Sequence, residues 1–248
     1  MHATRAWDGR QVMFKIVPNG SELEISEFLS SPRLISEPHN HCVPLLDILE
    51  PPDEPEQKLI VMPFLRPFDN PRFQTFGEFV SFFSQICDVR HAPESHPTGG
   101  IDVADRPLIG CPFYARTKHR TPVRLSVFIR EPTVKNSPRS NITANNVMLD
   151  PSEMYPKGFH PIKIKRRRDF EGRAKRFTRT RRPTRYYLVN FGLSRRYNSR
   201  NVLELPLRGG DKSAPEHQRS TMCNPFHTDI YYLGNLVRER FLKVIQNL

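Results

Sequence analysis

The chain has 248 residues, and its hydrophobic fraction of 37% with 17 Phe is enough for a packed core, which excludes a disordered polymer. The 24 Pro and 12 Gly indicate that loops make up much of the chain. The formal net charge of +12 favours contacts with phosphate, whether in nucleic acid, a nucleotide or an anionic membrane.

Cysteine usage and hydropathy bear on the compartment. The 4 Cys are widely spaced and form no CxxC pair, which excludes zinc-finger spacing and favours a reducing compartment over a disulfide framework. The N-terminus carries no apolar signal region, and no apolar run is long enough to cross a membrane. We therefore expect an intracellular protein, cytoplasmic or nuclear, with no membrane partner.

The first part of the chain predicts strands around one helix. Residues 11–17 alternate as a strand that places Lys15 among apolar neighbours, and Pro-Asn-Gly ends it. Residues 21–29 then predict a short helix with Ser21 as its N-cap. Two further strands are predicted at 42–49 and 58–65.

The clearest helix signal lies at 75–86. Thr75 and Glu78 form a T-x-x-E capping box, and the Phe residues that follow at helical spacing predict a face buried in the core. The pattern then fails over residues 89–140, which contain seven prolines and no sustained periodicity. We interpret this stretch as unrelated sequence inserted at a junction, such as a retained intron or a faulty gene model would give.

The second half contains three more short signals and one charged segment. Residues 146–149 and 186–189 predict strands, and residues 229–244 predict a helix. Between them, residues 163–185 hold twelve Lys or Arg against two acidic residues. This basic segment is either a solvated insertion or a docking and localisation patch for anionic partners, and its few aromatic residues do not favour nucleic acid.

Several landmarks occur in a fixed order along the chain. A lysine on a strand is followed by a glutamate with apolar residues at +3 and +7; later come V-M-P-F-L, N-N-V-M-L-D, Y-Y-L-V-N-F-G, A-P-E and D-I-Y-Y-L-G. In this order they resemble the eukaryotic protein kinases, and most closely a fungal group of kinase-like proteins. The resemblance covers about residues 5–88 and 141–248.

The resemblance implies an α+β, two-lobed protein-kinase-like fold with an incomplete N-lobe sheet and a truncated helical C-lobe. One domain would span 1–248, with a partial N-lobe at 1–65 and a partial C-lobe at 66–248. The C-lobe would carry the anomalous insert at about 89–140 and the basic insertion at 163–185. The glycine-rich loop is missing, as are the helices that follow the landmark at Asp229, so Glu216 is expected to lack its arginine partner and to be solvated.

The resemblance also assigns roles to residues, with ATP and Mg²⁺ as implied cofactors. Lys15, held by Glu22, would pair the phosphates, and the hinge would hold adenine through Met62, Phe64 and Leu65. The Mg²⁺ ligands would be Asn146 and Asn190, and Asn141 stands at the position of the catalytic aspartate. The structural positions are Phe191, Gly192, Glu216 and Asp229, the last as a cap at the start of its helix that braces the catalytic loop.

Two departures from the family pattern affect the chemistry. Asn190 replaces the DFG aspartate, and Asn141 replaces the proton acceptor, which typically supplies roughly 10²–10⁴-fold of the rate. We therefore predict a pseudokinase in which ATP-dependent protein phosphorylation is impaired. Two alternatives remain open: an active atypical serine/threonine kinase acting on a protein substrate, and a basic module that binds nucleic acid or another anionic partner through residues 163–185.

Overall fold

The computed structural model describes residues 1–87, 137–138, 142–197, 202–206, 211–219 and 221–242. Nearly all of the predicted insert at 89–140, and Asn141, lie outside the described residues. Within the described ranges the chain is α+β, because its strands pair into antiparallel sheets and its helices are few.

The first sheet has four strands in the order β1-β2-β4-β3. Its centre is the pairing of β2 (Gln11–Pro18) with β4 (Gln57–Pro63), in which Lys15 lies opposite Ile60. The edge strands are β1 (His2–Thr4) beside β2 and β3 (Asp47–Leu49) beside β4. The strand predicted at 11–17 is therefore confirmed, whereas β1 was not predicted.

Helix α1 (Ser21–Leu29) follows β2 directly, and its predicted bounds are confirmed. The predicted cap is wrong, because Ser21 is the first helical residue and Gly20 precedes it without a side-chain cap. Gly20 has φ 152°, a conformation that glycine adopts without steric cost and that lets the strand turn at once into the helix. The short helix α2 (Pro32–Ile35) comes next.

The strands predicted at 42–49 and 58–65 are shorter in the structure. Cys42 forms an isolated parallel bridge with Leu188, and Pro44, which has no N–H to donate, separates it from β3. The second run ends as a strand at Pro63, and β5 (Arg66–Pro67) then joins another sheet. That sheet has the order β5-β7-β8, with β7 at Val147–Leu149 and β8 at Tyr186–Leu188.

Helix α3 (Phe76–Cys87) carries the Phe-rich face. Its capping box is half formed: Glu78 N donates to Thr75 Oγ1 at 3.2 Å, but the Glu78 carboxylate accepts from Gln74 N at 2.7 Å. Phe82 is fully buried, although it was not among the residues whose spacing predicted the buried face. Phe76 is 66% exposed, because the first helical turn points its side chain away from the core.

The last helices are α4 (Pro215–Arg219) and α5 (Pro225–Val237), and α5 continues into a π-helical turn at Arg238–Leu242. Asn224 caps α5 by accepting a hydrogen bond from Phe226 N at 3.0 Å. The helix therefore begins before the predicted start at 229. Asp229 lies inside it and is not a cap, which corrects that prediction. Two short strands, β6 (Ser137–Pro138) and β9 (Arg196–Tyr197), pair with each other.

One hydrophobic core joins these elements. It brings Ile25 and Leu29 of α1 against the second sheet, α3 and α5, with Phe191 in the same cluster. Five of the landmark segments therefore contribute to one buried cluster, whereas β2, which carries Lys15, and the A-P-E segment do not. None of the described helices is long and apolar enough to cross a membrane.

Candidate functional site

Lys15 is the centre of a polar cluster. Its side chain leaves the middle of β2 and is 33% exposed. The ammonium group contacts Glu22 Oε1 and donates to Asn190 Oδ1 at 2.8 Å. The predicted pair of Lys15 and Glu22 is thus formed, and it is joined by a residue 175 positions further along the chain.

Glu22 reaches Lys15 from the first turn of α1. The immediate change from strand to helix at Gly20 brings this turn back towards β2, and the Glu22 side chain is only 12% exposed. Gly192 packs against it from the other side. A Cβ atom at Gly192 would lie 3.0 Å from Glu22 Oε2, so a side chain there would crowd the carboxylate. The predicted structural role of Gly192 therefore has a steric basis.

Asn190 stands just after β8 with φ 66°, in the left-handed region that asparagine tolerates better than most residues. Lysine has no acceptor, so the amide oxygen of Asn190 must be the atom that faces Lys15. The amide nitrogen then faces Asn146 and donates to Asn146 Oδ1 at 3.2 Å. Asn146 ends a 3-10 turn at Ala144–Asn146 and is buried, and its backbone oxygen accepts from Val189 N at 2.9 Å.

The four side chains form one hydrogen-bonded chain from Glu22 through Lys15 and Asn190 to Asn146. Its formal charge is zero, because one ammonium balances one carboxylate and both amides are neutral. An aspartate in place of Asn190 would make the cluster anionic. Because position 190 holds an amide rather than a carboxylate, the cluster has no net negative charge with which to attract cations.

The cluster does not fit Mg²⁺. This ion prefers carboxylate and water oxygens in an octahedral arrangement, and the two expected protein ligands here are neutral amides. Both amide oxygens already accept hydrogen bonds, one from the Lys15 ammonium and one from Asn190 Nδ2. In the described part of the chain, no group of three or more His, Cys, Asp or Glu is arranged to hold a metal ion.

The predicted hinge lies at the junction of the two sheets. Met62 is in β4 opposite Met13, whereas Phe64 and Leu65 lie between β4 and β5. Phe64 packs on Phe159 with ring centroids 5.9 Å apart, and Leu65 is buried. These three residues are brought together at one edge of the core.

The other predicted positions lie beside the cluster or beyond it. Phe191 is buried in the core with Ile25, which fixes the backbone that carries Asn190. Asp229 is buried on α5. Glu216 is half-buried, and its Oε2 is a buried atom with no hydrogen-bond partner among the described residues, so the expected solvation of Glu216 is wrong for this oxygen.

Sequence reasoning assigned no structural role to two buried charged residues, Arg66 and Arg179. Arg66 is 2% exposed, lies over the Phe159 ring at 4.3 Å and donates to Ile164 O at 2.9 Å. Arg179 is buried over the Phe73 ring at 4.1 Å and donates to Phe68 O at 2.7 Å. The only sequence feature that could have predicted such a role is a charged residue directly after an apolar run, as at Arg66 after V-M-P-F-L.

Glu78, predicted as the capping-box residue of α3, has a second role that the sequence did not predict. Its Oε1 accepts from Thr180 N at 3.1 Å and from Thr180 Oγ1 at 3.0 Å, which ties the basic segment to α3. Burial raises the pKa of Glu78, but the hydrogen bonds from Gln74 and Thr180 outweigh it, so its pKa lies below the ordinary value. Part of the basic segment therefore stabilises the fold.

A scan against models of known protein families finds no match to this chain, and a search of the curated proteins finds none either. The resemblance to protein kinases therefore depends on the ordered landmarks in the sequence.

Proposed function

We propose that this chain is a protein-kinase-like domain that binds nucleotide phosphates at Lys15 and transfers phosphate poorly or not at all. The observation that carries the proposal is the chain of hydrogen bonds from Glu22 through Lys15 and Asn190 to Asn146. The proposed N-lobe contains the first sheet and α1, and the proposed C-lobe contains the second sheet with α3 and α5. The cluster would then lie between the lobes.

The composition of the cluster supports weak or absent phosphoryl transfer. That reaction depends on positioning and on neutralising the charge of the phosphates, with a carboxylate that receives the proton of the substrate hydroxyl. Asn190 brings no negative charge for a metal, and its amide bonds internally. The position expected for the proton acceptor holds Asn141, whose amide is not a base in water.

The same composition supports binding of an anion without a metal. Lys15 has three N–H donors, of which two are directed at Glu22 and Asn190, so the third is available to a phosphate oxygen. Because the cluster is neutral, a phosphate would meet no net negative charge there. The Lys15 side chain is 33% exposed, so a ligand can approach it.

The test is thermal unfolding of the 248-residue chain with ATP alone, with Mg²⁺ alone and with both. A ligand that binds only the folded protein raises the unfolding midpoint by mass action. Lys15→Gln is the diagnostic variant. Lys58→Gln is its matched control, because Lys58 lies on the paired strand β4 and also forms an ion pair with a glutamate, Glu50.

We expect ATP to raise the midpoint of the wild type and of Lys58→Gln to the same extent with or without Mg²⁺, and to leave Lys15→Gln unchanged. A rise that requires Mg²⁺ and is accompanied by Lys15-dependent phosphotransfer would instead identify an active atypical kinase. A cooperative transition that ATP does not move would refute nucleotide binding at this cluster.

A further inference from the structure

The basic segment, residues 163–185, follows a path fixed by buried groups at several points. Arg66 holds Ile164 O, Glu78 holds Thr180, and the buried Arg179 bonds to Phe68 O. Within the segment, Arg166 and Arg173 form an antiparallel bridge that closes a turn. The cationic side chains that are not buried are therefore displayed from a defined backbone.

In the part of the chain that the structure describes, most of these cations have no acidic partner. Arg167 pairs with Asp169, and Arg182 lies 3.7 Å from Glu153. The other exposed cations of the segment form no ion pair within the described residues. The exposed set is Lys163, Lys165, Arg166, Arg167, Arg168, Arg173, Lys175, Arg176, Arg181 and Arg182.

Bulky apolar side chains protrude among these cations. Ile162 is 73% exposed and Phe170, in the turn closed by Arg166 and Arg173, is 50% exposed. Both adjoin His160, which accepts from Ile162 N at 3.2 Å and whose ring lies 4.1 Å from that of Phe170. Phe170 has φ 63°, which is unusual for a bulky residue.

The loop at residues 5–10 lies against the basic segment. Residues 5–10 connect β1 to β2, and Gly9 O accepts a hydrogen bond from Arg168 Nη1 at 3.2 Å. This loop carries Trp7, which is 78% exposed. Trp7 and Ile162 are the two most exposed large apolar side chains among the described residues.

We propose that this surface, the basic segment with Ile162 and the loop at 5–10, binds the face of an anionic phospholipid bilayer. The Arg and Lys side chains would contact the headgroup phosphates, while Trp7, Ile162 and Phe170 enter the boundary with the acyl chains. Cations around protruding Trp, Phe and Ile suit a flat interface with water on one side. This peripheral contact replaces the expectation of no membrane partner.

Single-stranded nucleic acid fits the surface less well. Its binding sites combine cations with several exposed aromatic rings on which bases stack. The exposed aromatic rings of this surface are Phe170, against which the His160 ring already packs, and Trp7, over which Arg5 lies at 4.9 Å. The aliphatic Ile162 cannot stack a base, whereas acyl chains accept all three side chains, which favours the lipid surface.

The experiment uses vesicles of phosphatidylcholine alone or with 30% phosphatidylserine, a composition chosen as the probe at roughly physiological salt. Trp7 is the only Trp in the chain, so its fluorescence reports on this loop directly. We expect the protein to sediment with the anionic vesicles only, and the Trp7 emission to shift to shorter wavelength when it binds.

Two matched variants separate this surface from overall charge. The triple variant Lys165→Gln, Arg166→Gln and Lys175→Gln removes three exposed cations from the segment. The control Arg33→Gln, Arg72→Gln and Lys212→Gln removes three exposed cations from elsewhere. We expect about a 100-fold loss of vesicle binding in the first. An equal loss in the control would overturn the proposal.

The apolar contribution is tested with Ile162→Ser and with Phe170→Asn, which keeps a residue that tolerates the positive φ. Each is expected to weaken vesicle binding about tenfold or more, most clearly at high salt. Absence of an emission shift on anionic vesicles would refute the proposal. The proposal would also be refuted if the protein bound single-stranded RNA, kept that binding in Ile162→Ser, and did not bind vesicles. The result is independent of ATP binding at Lys15.

Discussion

Asn190 Nδ2 donates a hydrogen bond to Asn146 Oδ1 over 3.2 Å. A carboxylate at position 190 could not make this bond, because an ionised aspartate only accepts. With the Asn146 amide in its present orientation, two oxygens would then face each other unless a cation lay between them. The amide thus joins two positions that a carboxylate would push apart in the absence of metal.

Asn190→Asp is expected to convert the cluster into one that responds to Mg²⁺. Asparagine and aspartate both tolerate the left-handed backbone, so the change is mainly in charge and in hydrogen bonding. Without metal, the loss of the bond to Asn146 should lower the free energy of unfolding by about 1–2 kcal/mol. Thermal unfolding should then show a midpoint that rises with Mg²⁺.

The control for this change is Asn19→Asp, because Asn19 also donates a side-chain hydrogen bond, to Pro55 O at 3.1 Å, at an exposed site. Asn19→Asp should lose a similar hydrogen bond, but Mg²⁺ should not raise its unfolding midpoint. If Mg²⁺ stabilised the wild type as much as Asn190→Asp, the amide pair would not be what keeps the ion out.

Gly192→Ala is expected to disturb the pair of Lys15 and Glu22 through crowding alone. The added Cβ would lie 3.0 Å from Glu22 Oε2, so the carboxylate must shift by a few tenths of an ångström, which disturbs its contact with Lys15. We expect a loss of about 1–3 kcal/mol of stability and weaker binding of ATP, measured by denaturant unfolding and by nucleotide titration.

The matched substitution is Gly234→Ala in α5, where an added Cβ meets no atom within 4 Å. It should raise the free energy of unfolding by up to about 1 kcal/mol, because alanine favours the helix more than glycine does. If both substitutions changed the free energy of unfolding by the same small amount, the Glu22 carboxylate would be able to move aside without cost.

Glu78→Gln is expected to loosen the basic segment from α3. The amide keeps one acceptor oxygen but turns its NH₂ towards a donor, either Gln74 N or Thr180 N, and so costs about 1–3 kcal/mol. Glu27→Gln, at an exposed position on α1, is the control and should change little. Equal stability of both variants would contradict the structural role of Glu78.

The pH dependence of Glu78 follows from its lowered pKa. A carboxyl group with a lowered pKa in the folded state stabilises the protein above its unfolded pKa, near the ordinary value of 4.5, and loses this contribution as the pH falls through the folded value. The difference in stability between the wild type and Glu78→Gln should therefore shrink as the pH falls below 4.5. Urea unfolding from pH 7 to pH 3 measures it.

Cys42 is expected to resist alkylation in the native protein. Burial raises the pKa of its thiol to about 12, so almost no thiolate, the reactive form, exists near neutral pH. Peptide mapping after iodoacetamide treatment at pH 8 should find Cys42 unmodified until the protein unfolds. Rapid modification under native conditions would mean that the segment holding Cys42 against Leu188 opens readily.

The elements predicted best are those whose signals are local. Strand β2 and helix α1 follow from alternation and from helical spacing, which act over a few residues. The strand predicted at 42–49 is shortened to β3 because Pro44 interrupts it and Cys42 pairs with Leu188, far away in sequence. The start of α5 was misplaced because Asn224 and Pro225 supply an early cap and first turn that apolar periodicity does not register.

By itself, the sequence determined the order of the landmark residues, the amides at positions 141, 146 and 190, and the excess of cations in 163–185. Only the tertiary structure decided that Lys15, Glu22, Asn190 and Asn146 form one neutral chain of hydrogen bonds, and that Arg179 is buried while its neighbours in the segment are exposed. The physical reason is that residue types specify which bonds are available, whereas packing of the common core between distant segments specifies which groups come within reach.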